Sequence, residues 1–243
     1  MRRCALLALA LAACTGGTET GNPVTAELRV HGHSSMPGQV AVVTDAGGAV
    51  VTGLWMRMPS VAMVDADCAT AVASADGLGA RDYAANALVE LAIDDAPLCA
   101  LWVALDPQAA APVDAPPALA GATVLVVGQR ADGTPFVIRS TRAGTIAVAG
   151  VSGPFRVTAT TPGLLLGFDV ATWLGDVDLD GATPGADGVV RIDAATDPVR
   201  LAAFEAALGR GAELFRDVNQ NGEVDGPEDA RIARGGALGT GAP

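Results

Sequence analysis

The sequence predicts a mainly β chain, a β-sandwich followed by a small C-terminal helical module. Short apolar or alternating runs rich in Val, Ile, Thr and Leu recur from residue 24 to residue 170. Gly, Pro, Asp and Ala turns separate them at regular spacing, the pattern of many short strands folded into two sheets. After residue 170 the composition changes to Asp-rich turns and helix-start signals.

The 243 residues suffice for one large or two modest domains. The first of them read as an address. Arg2 and Arg3 form a positive n-region, and the apolar run from Ala5 to Ala13 is too short to span a bilayer. It ends in Leu11-Ala12-Ala13-Cys14, which resembles a bacterial lipobox. That resemblance implies a signal peptide over 1–13, with cleavage before Cys14 and acylation of Cys14. Several acyl chains make such an anchor durable, each buried CH₂ adding about 0.8 kcal/mol. An ordinary secretory signal with a chance Cys is the other reading. Thr15, not Asp, follows Cys14. By the same resemblance the destination is the outer membrane. Residues 14–23 are small and polar, a flexible tether. Gly16-Gly17-Thr18-Glu19-Thr20-Gly21-Asn22-Pro23 after the Cys resembles the start of lipoproteins from myxobacteria and related bacteria, many of which carry an uncharacterised extracytoplasmic β-domain.

Loss of Arg2 and Arg3 with the leader takes the formal charge from −12 to −14. So acidic a body argues against nucleic acid or anionic lipid as partner and suits one that attracts cations. Cys4 leaves with the leader and Cys14 is lipidated, so Cys68 and Cys99 remain as a pair for an oxidising envelope. The spacing allows a disulfide, or alternatively two buried free thiols.

Candidate strands cover 25–31, 39–44, 49–57, 60–64, 87–93, 99–105, 122–130, 135–139, 145–151, 155–160 and 164–170, an immunoglobulin- or transthyretin-like arrangement over 24–170. Asp132-Gly133 suits a tight hairpin turn. Residues 65–83 and 108–120 read as loops. The Arg130-Ala-Asp-Gly-Thr-Pro-Phe136 turn, the run Leu164-Leu-Leu-Gly-Phe-Asp-Val170 before Trp173, and the Cys before the Leu-Trp-Val strand are similar to that bacterial β-domain family, which implies no activity.

Residues 171–235 read as the helical module, and 236–243 as a disordered tail. Asp197-Pro198 is a helix start, Asp as N-cap and Pro in the first turn. The helix extends over 198–208 with Leu201, Phe204, Ala207 and Leu208 on one face. Short helices are expected over 212–216 and 229–234, flanking the most specific motif in the chain. Asp217-Val-Asn-Gln-Asn-Gly-Glu-Val-Asp-Gly-Pro-Glu228 fits the twelve-residue calcium loop D-x-[DN]-x-[DN]-G-x5-E. Ca²⁺ takes six to eight oxygens. The side chains of Asp217, Asn219 and Asn221, the carbonyl of Glu223, Asp225 directly or through water, and both oxygens of Glu228 supply them. A solvated acidic loop is the bland alternative. The region resembles an EF-hand or dockerin, which implies a Ca²⁺ site. Arg216 stands where an EF-hand carries an aromatic residue and Asp229 where it carries an apolar one, so a stabilising site is expected, not a sensor. Asp176-Val-Asp-Leu-Asp-Gly181 opens like a second loop and departs from the pattern at Pro184 and Asp187; Asp176, Asp178 and Asp180 are its candidate ligands, against an ordinary Asp-rich turn.

No HExxH, GxSxG or GxxxxGK[ST] motif is present. His31 and His33, the only histidines, would share one strand face, which permits a weak metal site or marks a polar strand end. Trp55, Trp102 and Trp173 are candidates for a sugar-binding face or for packing. The expected function is a lipid-anchored, calcium-binding, non-enzymatic envelope protein. The alternative is an adhesin-like surface module for polysaccharide or an envelope protein, without a functional metal site.

Overall fold

A computed structural model describes residues 23–33, 42–43, 48–84, 87–160, 163–224 and 230–239. The expected signal peptide, Cys14 and residues 240–243 lie outside the described residues. The rest of the expected disordered tail is ordered: Leu238 is buried, and Gly239 exchanges two backbone hydrogen bonds with Thr145. The strands are β1 (Pro23–His33), β2 (Val42–Val43), β3 (Val50–Arg57), β4 (Ser60–Asp65), β5 (Ala71–Asp76), β6 (Ala80–Asp82), β7 (Ala87–Asp94) and β8 (Pro97–Leu105). They continue with β9 (Val124–Gln129), β10 (Pro135–Ser140), β11 (Gly144–Gly150), β12 (Phe155–Arg156) and β13 (Gly163–Asp169). Helix α1 (Val170–Gly175), β14 (Val190–Ile192), α2 (Pro198–Ala207), β15 (Ala212–Arg216) and β16 (Ala230–Gly235) complete the chain.

Two sheets result. The larger has the order β5-β4-β8-β11-β16-β15-β13-β1-β7, with β12 also paired to β8; the smaller has the order β14-β10-β9-β3-β2, with β6 against β3. Leu28 and Val30 of the larger sheet share one buried cluster with Leu54, Met56 and Phe136 of the smaller, so the two sheets close on a common apolar core. Alternation does this directly in β7, where Ala87, Val89, Leu91 and Ile93 point inward and Leu88, Glu90, Ala92 and Asp94 outward. The β9–β10 hairpin turns at Asp132-Gly133 as expected. Gly133 has φ +82°, and the Asp132 carboxylate accepts from the Thr134 N–H at 2.8 Å. Cys68 and Cys99 form a disulfide with Cα atoms 5.4 Å apart.

The helical signals divide. Asp197 caps α2 by accepting from the Arg200 N–H at 3.0 Å, and Leu201, Phe204 and Ala207 are buried, as the sequence implies. An aromatic row, Tyr83–Phe168–Trp173–Phe204, links the larger sheet to α1 and α2 at centroid spacings of 6.3, 5.5 and 5.9 Å. The helices expected over 212–216 and 229–234 are instead strands β15 and β16, so the calcium motif has no helical EF-hand frame. Five residues are too few to hold a helix alone. As β15 they pair with β13 on one side and β16 on the other, with Ala212 and Leu214 in the core. Strands β15 and β16 thus complete the larger sheet from its middle, while β14 joins the smaller sheet beside β10. Strands β5 and β6 fall in the stretch read as a loop.

Candidate metal-binding face

Across the outer face of the larger sheet, β1, β13 and β15 align their residues in rows. His31 of β1 stands beside Gly167 of β13, which stands beside Glu213 of β15. The next row is Arg29, Leu165 and Phe215. The last begins with Glu27 and Gly163, whose carbonyl accepts from the Asp217 N–H at 3.1 Å. Two glycines make this face possible. A Cβ on Gly167 would strike the His33 ring, and one on Gly163 would lie 3.2 Å from Asp217 Cβ.

Asp217 begins the calcium motif and is 6% exposed. Its Oδ2 accepts from the Gly222 N–H at 3.0 Å, while its Oδ1 is buried without a hydrogen-bond partner. Asn219 Oδ1 accepts from the Asn221 N–H at 3.2 Å, and Asn221 Oδ1 from the Glu223 N–H at 2.8 Å. Gln220 and Gly222 have φ +58° and +78°, the left-handed geometry that turns the chain back on Asp217. Against this turn lies a small pocket of about 40 Å³ lined by Glu27, Arg29, Gly163, Asp217 and Gln220. Asp225 and Glu228 lie outside the described residues.

The three acids of the second motif diverge. Asp176 pairs with Arg210 at 2.7 Å, Asp178 with Arg200 at 2.7 Å and Asp180 with Arg130 at 3.6 Å. The Arg200 hydrogen bond holds the Asp178 carboxyl below its ordinary value. Each of the three acids thus has an arginine of its own. Among the described residues, no three His, Cys, Asp or Glu side chains gather as a ready-made metal cluster.

His31 and His33 are each 9% exposed, and Glu213 is 6% exposed. Burial lowers the His31 pKa, partly offset by its contact with the Gly32 carbonyl; His33 lowers it further and Asp217 raises it. His33 stacks edge-on against Phe215, centroids 5.7 Å apart. Glu213 Oε1 accepts from Arg231 at 2.5 Å and has Arg234 at 3.7 Å; Oε2 lies 3.7 Å from His33 Nε2. Sequence reasoning missed Glu213, although a lone acid within Ala-Glu-Leu-Phe is a signal once that run is read as a strand.

The tryptophans share no face. Trp173 is fully buried, its Nε1–H donating to the Leu208 carbonyl at 3.0 Å. Trp55 and Trp102 are half-buried on β3 and β8, in different sheets. No helix among the described residues is long and apolar enough to cross a membrane.

The chain matches no protein-family model and no curated protein. Among solved structures it is similar to MbnP from Methylosinus trichosporium, with 15% sequence identity and a TM-score of 0.42, over 87% of this chain and 98% of that one.

Proposed function

We propose that the chain is a lipid-anchored, non-enzymatic bacterial envelope protein in which Ca²⁺, bound by residues 217–228, is structural. The state of Asp217 carries the calcium reading. A buried carboxylate oxygen without a partner is costly, on the order of 1–3 kcal/mol or more for a charged group. Asp217 Oδ1 is such an atom, at the first position of a motif whose Gly222 N–H already holds the other oxygen. An ion would repay that cost and gather Asn219, Asn221, Glu223, Asp225 and Glu228 around it. The flanking strands do not weaken this, because the loop itself supplies every ligand. They do favour a fixed clamp over an opening pair of helices. The test is a terbium-luminescence and calorimetric titration of the full chain. Saturable binding with Kd of about 10⁻⁴–10⁻³ M is expected, lost in Asp217→Ala and Glu228→Ala. No saturation at millimolar calcium removes the reading.

The anchor rests on the lipobox resemblance. Cys14→Ser should release the chain from the membrane fraction, and its retention there would remove the anchor. One feature favours the alternative, a surface carbohydrate- or protein-binding module. Trp55 lies in an open groove with Arg81, Asp82 and Asp114. Glycan binding that Trp55→Ala abolishes, in a chain indifferent to calcium, would favour that module.

A further inference from the structure

We propose that His31, His33 and Glu213 form a site for a divalent transition-metal ion of the Zn²⁺ class, separate from the calcium loop. Alternation along β1 puts both imidazoles on one face, and the β1–β13–β15 register brings Glu213 to it across Gly167. His31 Nε2 and both ring nitrogens of His33 are buried without a hydrogen-bond partner. Buried imidazole nitrogens are ordinarily bonded, so three orphans on two adjacent rings point to a missing ligand.

The spacing fits an ion better than a direct contact. At 3.7 Å, His33 Nε2 and Glu213 Oε2 are too far apart to hydrogen-bond. Two ligands about 2.0–2.1 Å from one tetrahedral ion stand about 3.4 Å apart, close to the gap present. The rings of His31 and His33 have centroids 6.2 Å apart. Two imidazoles on such an ion have centroids about 5 Å apart, so a swing of the His31 ring by about 1 Å completes the set. Arg231 and Arg234 hold Oε1 and leave Oε2 facing His33, as a partner that orients a ligand should. Two imidazoles and one carboxylate suit Zn²⁺ and its neighbours, whereas the oxygen-only loop suits Ca²⁺. The fourth position is left for water or another ligand.

The chain has two histidines, so imidazole ¹H–¹⁵N spectra of the untagged full chain resolve the site without further labelling. Titration with Zn²⁺ should shift both rings at one ion per chain. His33→Ala and Glu213→Gln should each weaken calorimetric Zn²⁺ binding by about 100-fold or more. Glu228→Ala should leave Zn²⁺ binding intact, which keeps this result distinct from failure of the calcium loop. Imidazole resonances of the wild-type chain that ignore stoichiometric Zn²⁺ overturn the proposal even if a variant does not fold. Undiminished binding in a folded His33→Ala chain overturns it as well.

Discussion

Tyr83 offers a single-group test of the apolar core between the two sheets. Its side chain is 1% exposed and packs edge-on against Phe168 at a centroid distance of 6.3 Å. Burial pushes its pKa up from 10.0 to about 12, Arg81 pulling slightly the other way. Below pH 10 the phenol is neutral in the folded and unfolded chain alike, so it contributes no pH dependence there. Between about pH 10 and pH 12 the unfolded chain releases the proton and the folded chain keeps it, so stability falls as pH rises. At 1.36 kcal/mol per unit, the two-unit shift corresponds to a loss on the order of 3 kcal/mol by pH 12. The composition isolates this effect. Tyr83 is the only tyrosine, the chain has no lysine, and Cys68 and Cys99 are bonded to each other. Arginine titrates above the window, and any free thiol of Cys4 or Cys14 titrates below it. Guanidinium unfolding followed by Trp fluorescence from about pH 8 to pH 12 should show the loss in the wild type and a flat profile in Tyr83→Phe. Tyrosinate absorbance rising near pH 10 in the folded chain would refute the reasoning, as would an alkaline fall that survives Tyr83→Phe.

Three further outcomes follow from the same structure. The Cys68–Cys99 bridge closes a sequence separation of 31 residues, for which chain entropy gives about 3.7 kcal/mol. The double Cys→Ser chain should lose about that much stability in chemical denaturation, and an unchanged midpoint would show that the turn after β4 is ordered without it. Asp197→Ala removes the α2 cap and should cost about 1 kcal/mol in the same assay. At 10 mM Ca²⁺ and a Kd of about 1 mM, calcium should add about 1.4 kcal/mol, a rise in melting temperature of about 3–6 °C that Asp217→Ala abolishes.

Much of the fold was legible because local rules and tertiary demands agree. The alternation of Ala87–Asp94, the Asp132-Gly133 turn and the Asp197-Pro198 helix start each need only neighbouring residues to be read. Strand β5 was not legible. Ala71–Asp76 lies at the edge of the larger sheet, and its small, largely exposed residues carry no apolar period to betray it. Strands β15 and β16 failed differently. Ala212–Arg216 is short and helix-compatible by propensity, and only its neighbours β13 and β16 decide that it is extended. The candidate metal-binding face was half legible for the same reason. His31 and His33 declare themselves by spacing, but Glu213 joins them only through the β1–β13–β15 register.

The change from helices to strands around residues 217–228 alters what an ion there would do. In a helical frame, binding can swing two helices and expose a groove. Here the motif fills all but one residue of the connection between Arg216 and Ala230, which already face each other as ladder partners. The strands it joins lie between β13 and β11, inside the larger sheet, so neither can swing without breaking a ladder on its other side. With its ends pinned, the loop gives up less chain entropy on closing around an ion than the same twelve residues would in a free segment. Calcium should therefore slow hydrogen exchange in the loop and at the paired ends of β15 and β16 while leaving β7 and β10 unchanged. Protection spreading across both sheets would instead mean that the ion drives a global rearrangement, and the structural-clamp reading would fall.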